Sequence, residues 1–253
     1  MPQMSKSAES FPLTRRNRVV RRPMRGHYDK ATVYDILDRA LVCHIAYVID
    51  GQPYCTPTAF WRDGDTLYWH GSAASRMIRN QGQGNDGRGL AVCLTVTHMD
   101  AIVLARCGFN HSVNYRSVMA FGTAQLIDDA AEKLRLMDRF LDRFFPGRAG
   151  LMRPPTKQEI KATSFIGMPI EQASAKIRDV GVHDEEDDYA VPAWTALLPV
   201  RTVLGRIEEC PRQMPGVRKP RGMKGYVAGR RMDEIFLEAY RAYAQAPGEM
   251  TST

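Results

Sequence analysis

The sequence has no Cys-x-x-Cys pair, and its cysteines, Cys43, Cys55, Cys93, Cys107 and Cys210, are odd in number. That excludes a disulfide framework and gives no zinc-binding spacing, so they read as reduced thiols. Four of them lie in apolar, strand-like runs, where cysteine serves as a small hydrophobe. Long apolar runs are also lacking. The longest, such as Ala101 to Ala105, fall far short of the roughly 20 residues a membrane span needs. The opening MPQMSKSAES has no apolar stretch after its lysine and does not read as a secretory signal, so a cytoplasmic location and no membrane partner are expected. There is no Gly-x-Ser-x-Gly elbow. The glycine-rich QGQGNDGRG lacks the Gly-Lys-Ser/Thr ending of a P-loop and follows a helical stretch instead of a strand, so it reads as a connection.

What is present is the composition of a globular protein, 44% hydrophobic and 25% charged over 253 residues, enough for one large domain or two small ones. The net charge of +7 is unevenly spread. Residues 1–30 hold eight Lys/Arg against two acids and residues 201–231 hold nine against two, so the body between and beyond them is acidic. Basic ends around an acidic body read as solvated arms, and a nucleic-acid partner is not expected. The chain divides into a basic N-terminal arm (1–29), a central domain (30–209), and a basic loop with an amphipathic helix (210–253) that packs on the central domain or on a partner.

Arginine-rich 15–25, with Pro23, predicts an extended arm. Val33, Ile36, Leu37, Ala40 and Leu41 then share a helical face. From Ala40 to His70 two Asp-Gly dipeptides, Asp50-Gly51 and Asp63-Gly64, separate β-rich runs and predict a three-stranded antiparallel meander. A short helix is expected over Ser72–Gln81. LAVCLTVT and AIVLARCGF, separated by His98-Met99-Asp100, predict two strands, and Tyr115–Ile127 another. Six strands in fewer than 90 residues favour a closed or nearly closed barrel. DDAAEKLRLMDRFLDRFF predicts a helix with Leu134, Met137, Leu141 and Phe144 on its apolar face, and Thr156–Ala162 a second. SFIGMPIEQASAKIR and AWTALLPVRTVLGRIEE read as two more strands. Between them HDEEDD reads as a solvated, self-repelling loop, not a metal site. A last helix, Met232–Ala244, carries Ile235, Phe236, Ala239, Tyr240 and Tyr243 on one face.

The densest polar constellation is YWHGSAASRM. A strand ends at His70, Gly71 allows close backbone approach, and Ser72, Ser75 and Arg76 fall on the first turn of the following helix. Free N–H groups, two hydroxyls and a guanidinium suit a phosphate monoester; ordinary capping by Ser72 with a solvated Arg76 is the alternative.

His70-Gly71-Ser72 with Ser75-Arg76, then VCLTVTHMDAIVLAR, then His111 to Val118, resembles the FMN-binding split β-barrel proteins related to pyridoxamine 5′-phosphate oxidase. FPGR at 145–148, SAKIR at 174–178, and Trp194 followed by Leu197-Leu198-Pro199 extend the likeness toward the 5-nitroimidazole resistance (nitroreductase) branch, over residues 20–205. The resemblance implies a mainly β, antiparallel, Greek-key-like split barrel with peripheral helices, forming a homodimer with FMN at the subunit interface. It implies phosphate contacts from Ser72, Ser75 and Arg76 with help from Arg116 in the neighbouring Tyr115-Arg116-Ser117. Pro57, Thr58 and Ala59 would run beside the isoalloxazine, and Trp194 would come across from the other subunit, core packing being its alternative. His70 would orient a substrate or donate a proton, or else hydrogen-bond the cofactor; His111 has a turn-capping or a ligand role. The implied function is electron transfer from NAD(P)H to a small organic acceptor, with a non-catalytic FMN- or haem-binding storage or sensor protein as the alternative. PVRTVLGRIEECPRQMPGVRKPRG does not match the basic C-terminal segment that grips the vitamin phosphate in true pyridoxamine phosphate oxidases, so vitamin oxidation is not expected.

Overall fold

The computed structural model describes residues 9–75, 78, 80 and 89–245. The N-terminal arm is not free in solvent. Phe11 is buried, and buried Asn17 donates its amide Nδ2 to the Pro12 carbonyl (2.9 Å) and the Ala173 carbonyl (3.0 Å), so one aromatic anchor and one satisfied amide hold the arm to the barrel. The arm ends in a 3₁₀ turn at Pro23–Arg25 and a two-residue strand β1 (Gly26–His27). Helix α1 (Lys30–Asp38) follows, capped by Asp29, whose carboxylate accepts from Thr32 N–H; Val33, Ile36 and Leu37 are buried.

β2 (Val42–Ile49) and β3 (Gln52–Asp63) are joined by Asp50-Gly51, both with positive φ (51° and 76°), the mirror-image turn that suits hairpin twist. The second turn lies one residue later than expected. Asp63 pairs with Thr66, so Gly64 (φ 58°) and Asp65 make the bend into β4 (Thr66–Ser72). Of the helix expected over Ser72–Gln81, Ile78 and Asn80 are helical; Arg76, Met77, Arg79, and all of QGQGNDGRG except Gly89, lie outside the described residues.

The two runs flanking His98-Met99-Asp100 form one strand, β5 (Leu90–Leu104), not two. Asp100 is a bulge residue: the pairing with β6 (Ser112–Ile127) shifts register between Met99 and Ala101 and then continues, because an inserted residue bends a ladder without ending it. After α2 (Ala130–Phe144) and the capping-box helix α3 (Lys157–Ala162), SFIGMPIEQASAKIR forms two strands, β7 (Thr163–Pro169) and β8 (Gln172–Arg178). Both pair with the same edge of β6, β8 along Tyr115–Phe121 and β7 along Gln125–Ile127. AWTALLPVRTVLGRIEE supplies only β9 (Ala196–Pro199), on the far half of β5. The closed ring is β2-β3-β4-β7-β6-β5, with β8, β1 and β9 extending the long β5–β6 ribbon: a split β-barrel.

Alternation sends Cys43, Ile45, Phe60, Leu67, Trp69, Leu94, Val118, Ile166 and Met168 into the barrel with the apolar face of α1. A second core forms outside it, where Trp61, Phe165, Leu136, Phe144, Tyr226, Ile235 and Phe236 meet beneath α2 and the final helix α4 (Met232–Gln245). The apolar face of α2 holds in part: Phe144 enters the core as expected and Met137 packs against it, but Leu136 is buried there too, whereas Leu134 and Leu141 are left lining a surface cleft. The charged loop is exposed at His183, Glu185, Glu186 and Asp187 as expected, with one exception. Asp184 is buried and accepts from Arg106 N–H (3.0 Å) and the Arg106 guanidinium (3.2 Å), pinning the loop to the end of β5.

Gly122 marks the tightest crossing. A Cβ there would lie 2.2 Å from the Pro169 carbonyl oxygen and 2.8 Å from Met168 Cγ. Gly122→Ala is therefore expected to cost about 1–3 kcal/mol of stability, as overpacking does, measured as a lowered urea midpoint.

Candidate functional site

The β2–β3 turn fixes what faces outward. Pro57 pairs with His44, His44 with Thr95, and Thr95 with Met119 across four strands; on the adjoining row Ala59 pairs with Val42, and Thr97 pairs with Ser117, which pairs with Lys176. Pro57, Ala59 and Ser117 thus share one outward face with small and hydroxyl-bearing neighbours, and Tyr115 follows two residues from Ser117 on the same side. Thr58 does not join them. It pairs with buried Cys43 and alternates to the opposite side.

Between Gln52 and Ala59, β3 is paired on one edge only among the described residues, because β4 takes over at Phe60. Phe60 N–H donates to the Leu41 carbonyl, so alternation turns the backbone groups of Cys55 and Pro57 toward the open edge. Pro53 and Pro57, which have no N–H to leave unpaired, both lie there, as proline on an edge should.

His70 lies where β4 runs under α2, with ring centroids 5.4 Å from Phe140, 5.6 Å from Phe165 and 6.4 Å from Trp61. Its Nδ1 is buried and has no partner among the described residues. Gly71 and exposed Ser72 follow, with Ser72 Oγ accepting from Ala74 N–H (3.2 Å) and Ser75 N–H donating to the Ser72 carbonyl (2.8 Å); Arg76 lies outside the described residues. Burial pushes the His70 imidazole below the ordinary histidine value, and that of His98 likewise. The unfolded chain therefore binds protons that the folded state refuses, so this contribution is full above about pH 6.5 and is lost as the pH falls through that value. His70→Phe is expected to flatten the acid side of the stability profile by up to one proton, read from urea midpoints on either side of about pH 6.5.

Arg116 points the other way from its neighbours. It pairs with Ile177 on the inward-facing register, and its guanidinium bonds both Asp100 oxygens (2.9 and 2.8 Å) and reaches Asp233 (3.4 Å). It is therefore already neutralised, and period-two alternation puts it on the side opposite Tyr115 and Ser117, so the three residues expected to act together do not share a face. Trp194 is 75% exposed in the loop before β9, so in a single chain it is not a core residue. His111 Nδ1 lies 3.0 Å from the Cys107 carbonyl and closes its own turn. Lys176 and Arg178, opposite Ser117 and Tyr115, went unrecognised as site neighbours; only the β6–β8 register reveals them.

The pyridoxamine 5′-phosphate oxidase family profile matches residues 29–177. The flavocytochrome Anf3 of Azotobacter vinelandii is 37% identical over 85% of this chain and 98% of its own, with a TM-score of 0.77. The FAD and heme binding protein of Mycobacterium smegmatis is 30% identical over 81% and 98%, with a TM-score of 0.73. A Bacteroides thetaiotaomicron structure described as a 5-nitroimidazole antibiotic resistance protein shares the fold at 22% identity, over 60% and 86%, with a TM-score of 0.50. No curated protein matched. The split barrel, the ordered motifs and these matches together place the chain in the pyridoxamine 5′-phosphate oxidase family.

Proposed function

We propose that this chain is a flavin-binding redox protein that acts as a homodimer, with the flavin, FMN or FAD, seated on the outward sheet face against the open edge of β3. That open edge is the observation that carries the reading. The backbone groups of Cys55 and Pro57 stand ready for the pyrimidine edge of a planar ring, while Pro57 and Ala59 leave room over the sheet. The relatives that are a flavocytochrome and an FAD and heme binding protein support it. When bound, the flavin would supply the redox chemistry, accepting a hydride from NAD(P)H and passing electrons to a small organic acceptor. The protein's part is to grip, orient and cover. Exposed Val42, Val48 and Met119 make that face apolar in a lone chain, which suits burial against a second copy, from which Trp194 would reach the cofactor.

Titration of protein stripped of small molecules with FMN and with FAD, followed by flavin fluorescence, is expected to saturate at one flavin per chain, with a dimer in sedimentation. Binding of neither flavin overturns the proposal. NAD(P)H oxidation that depends on an added acceptor supports an enzyme; its absence over a broad acceptor panel supports a non-catalytic binder.

A haem as second cofactor is favoured by one specific observation, the unpartnered buried Nδ1 of His70 in an aromatic surround. Phe165, which packs on that ring, also lines a cleft of about 750 Å³ with Leu134, Met137, Leu141 and Met152. An imidazole nitrogen is the common protein ligand to haem iron, and the cleft, which Phe165 separates from His70, is largely apolar with Lys133, Asp138, Arg153 and Glu159 also lining it. Hemin added to the stripped protein is expected to give a bound haem spectrum that His70→Ala loses; equal spectra in the two proteins remove His70 from that role.

A further inference from the structure

At the far end of the outward face, Arg21, Arg22, Arg25, Lys176 and Arg178 surround a single cleft of about 840 Å³. Among the described residues none of these five cations has a carboxylate partner. Arg178 donates instead to the neutral amide oxygen of Asn114 (2.5 Å). Burial, and then the neighbouring Arg25 charge, hold the Arg178 guanidinium below its ordinary value, as expected of like charges crowded without a counterion. Two separate segments, the N-terminal arm and β8, contribute to this concentration, and pairing of β1 with β8 (Gly26 with Lys176) holds them together. Elsewhere arginines pair readily: Arg16 with Glu171, Arg62 with Asp38, and Arg116 with Asp100. At the lip stands Phe109, 99% exposed on a 3₁₀ turn and with no ring partner among the described residues.

Clustered cations in a concave site recognise phosphate, and a fully exposed aromatic beside them recognises the face of a base. We propose that this cleft binds a nucleoside diphosphate group, its phosphates among Arg21, Arg25, Lys176 and Arg178 and its base against Phe109. The group has two possible sources, a free nucleotide or the diphosphate end of a dinucleotide cofactor. The first is independent of the flavin reading. The second rests on it, since Lys176 and Arg178 pair with Ser117 and Tyr115 at the end of the same face.

The test is calorimetric titration of ADP into the protein as purified and into protein stripped of its chromophore, with adenosine and inorganic pyrophosphate in parallel. ADP is expected to bind once per chain and adenosine at least about tenfold more weakly. Arg25→Glu and Lys176→Glu should each weaken ADP by at least about tenfold. Phe109→Ala, a change at a side chain the fold does not use, should weaken ADP and leave pyrophosphate unchanged. Binding to the protein as purified identifies a free nucleotide. Binding only after stripping, with the charge-reversal variants losing FAD but keeping FMN, identifies a dinucleotide cofactor. ADP binding to neither form, equal binding to wild type and variants, or tighter binding of a short DNA duplex overturns the proposal, and FMN titration of the same samples reports separately on the flavin site.

Discussion

Replacing Arg62 by alanine is expected to lower the free energy of unfolding by about 3–5 kcal/mol, the scale of breaking a buried ion pair from one side. Arg62 is buried in β3 and donates to both oxygens of buried Asp38 at the end of α1, Nε to Oδ1 at 3.0 Å and Nη2 to Oδ2 at 2.5 Å. Buried Arg143 from α2 completes the group, donating to the Asp38 carbonyl (2.6 Å) and the Phe236 carbonyl (3.0 Å) and standing 3.9 Å from the Asp38 carboxylate. The Tyr240 ring of α4 is shared by both guanidiniums, at 4.8 Å from Arg62 and 4.7 Å from Arg143, and its hydroxyl meets Arg62. One charge cluster therefore joins α1, the barrel, α2 and α4. Without Arg62 the Asp38 carboxylate stays buried with only the more distant Arg143, and the grip on Tyr240 weakens. Urea unfolding checks the loss. The double variant Asp38→Leu with Arg62→Met should recover part of it, because removing both charges leaves none of that pair stranded. A single-variant loss below about 1 kcal/mol, the range of surface pairs, would contradict this account of the cluster.

Ala59→Arg is expected to weaken flavin binding by at least about a hundredfold, roughly 2.7 kcal/mol, while leaving the fold intact. Ala59 lies on the outward face of β3, two residues from Pro57 and opposite exposed Val42, so the new side chain extends into space the folded chain does not occupy. A planar ring lying there would meet a long side chain in its place. Fluorescence titration measures the affinity, and an unchanged thermal midpoint shows that the barrel is undisturbed. Affinity equal to wild type would move the ring off this face. Thr58→Ala is the internal comparison: its side chain lies on the opposite side, so a small effect is expected.

The sequence carried the barrel because its information is local. Asp50-Gly51 fixes a turn, the turn fixes the pairing of Val42 with Ala59 through Ile49 with Gln52, and alternation then decides which side chains face out. Where neighbours in space decided the outcome, local reading failed. Asp100 looked like part of a turn but is a bulge, because β6 continues to pair on both sides of it. SFIGMPIEQASAKIR looked like one strand but is interrupted at Ile170 and Glu171, whose N–H groups bond the Asp65 and Phe121 carbonyls, and then resumes along the same edge of β6 with its register shifted by one residue. Helix α2 hid Leu136 and exposed Leu134 because α4 covers it, and nothing within the α2 sequence announces that partner. Asp38, Arg62 and Arg143 are separated by 24 and 105 residues from the first of them, so their meeting is a property of the fold alone. The candidate site was legible in part, since His70, Gly71, Ser72, Pro57 and Ala59, the residues proposed for it, belong to short motifs. The placement of the charges around it was not. Arg116 sits in the expected strand, yet alternation turns it to Asp100, whereas Lys176 and Arg178 come from β8 by pairing.

The most direct measurement is the identity of what the protein carries when purified. Denaturing it and weighing the released chromophore should give a flavin at about one per chain, accompanied by haem if His70 ligates iron. A chain that is colourless as purified and takes up neither FMN nor FAD afterwards would contradict the flavin-binding reading.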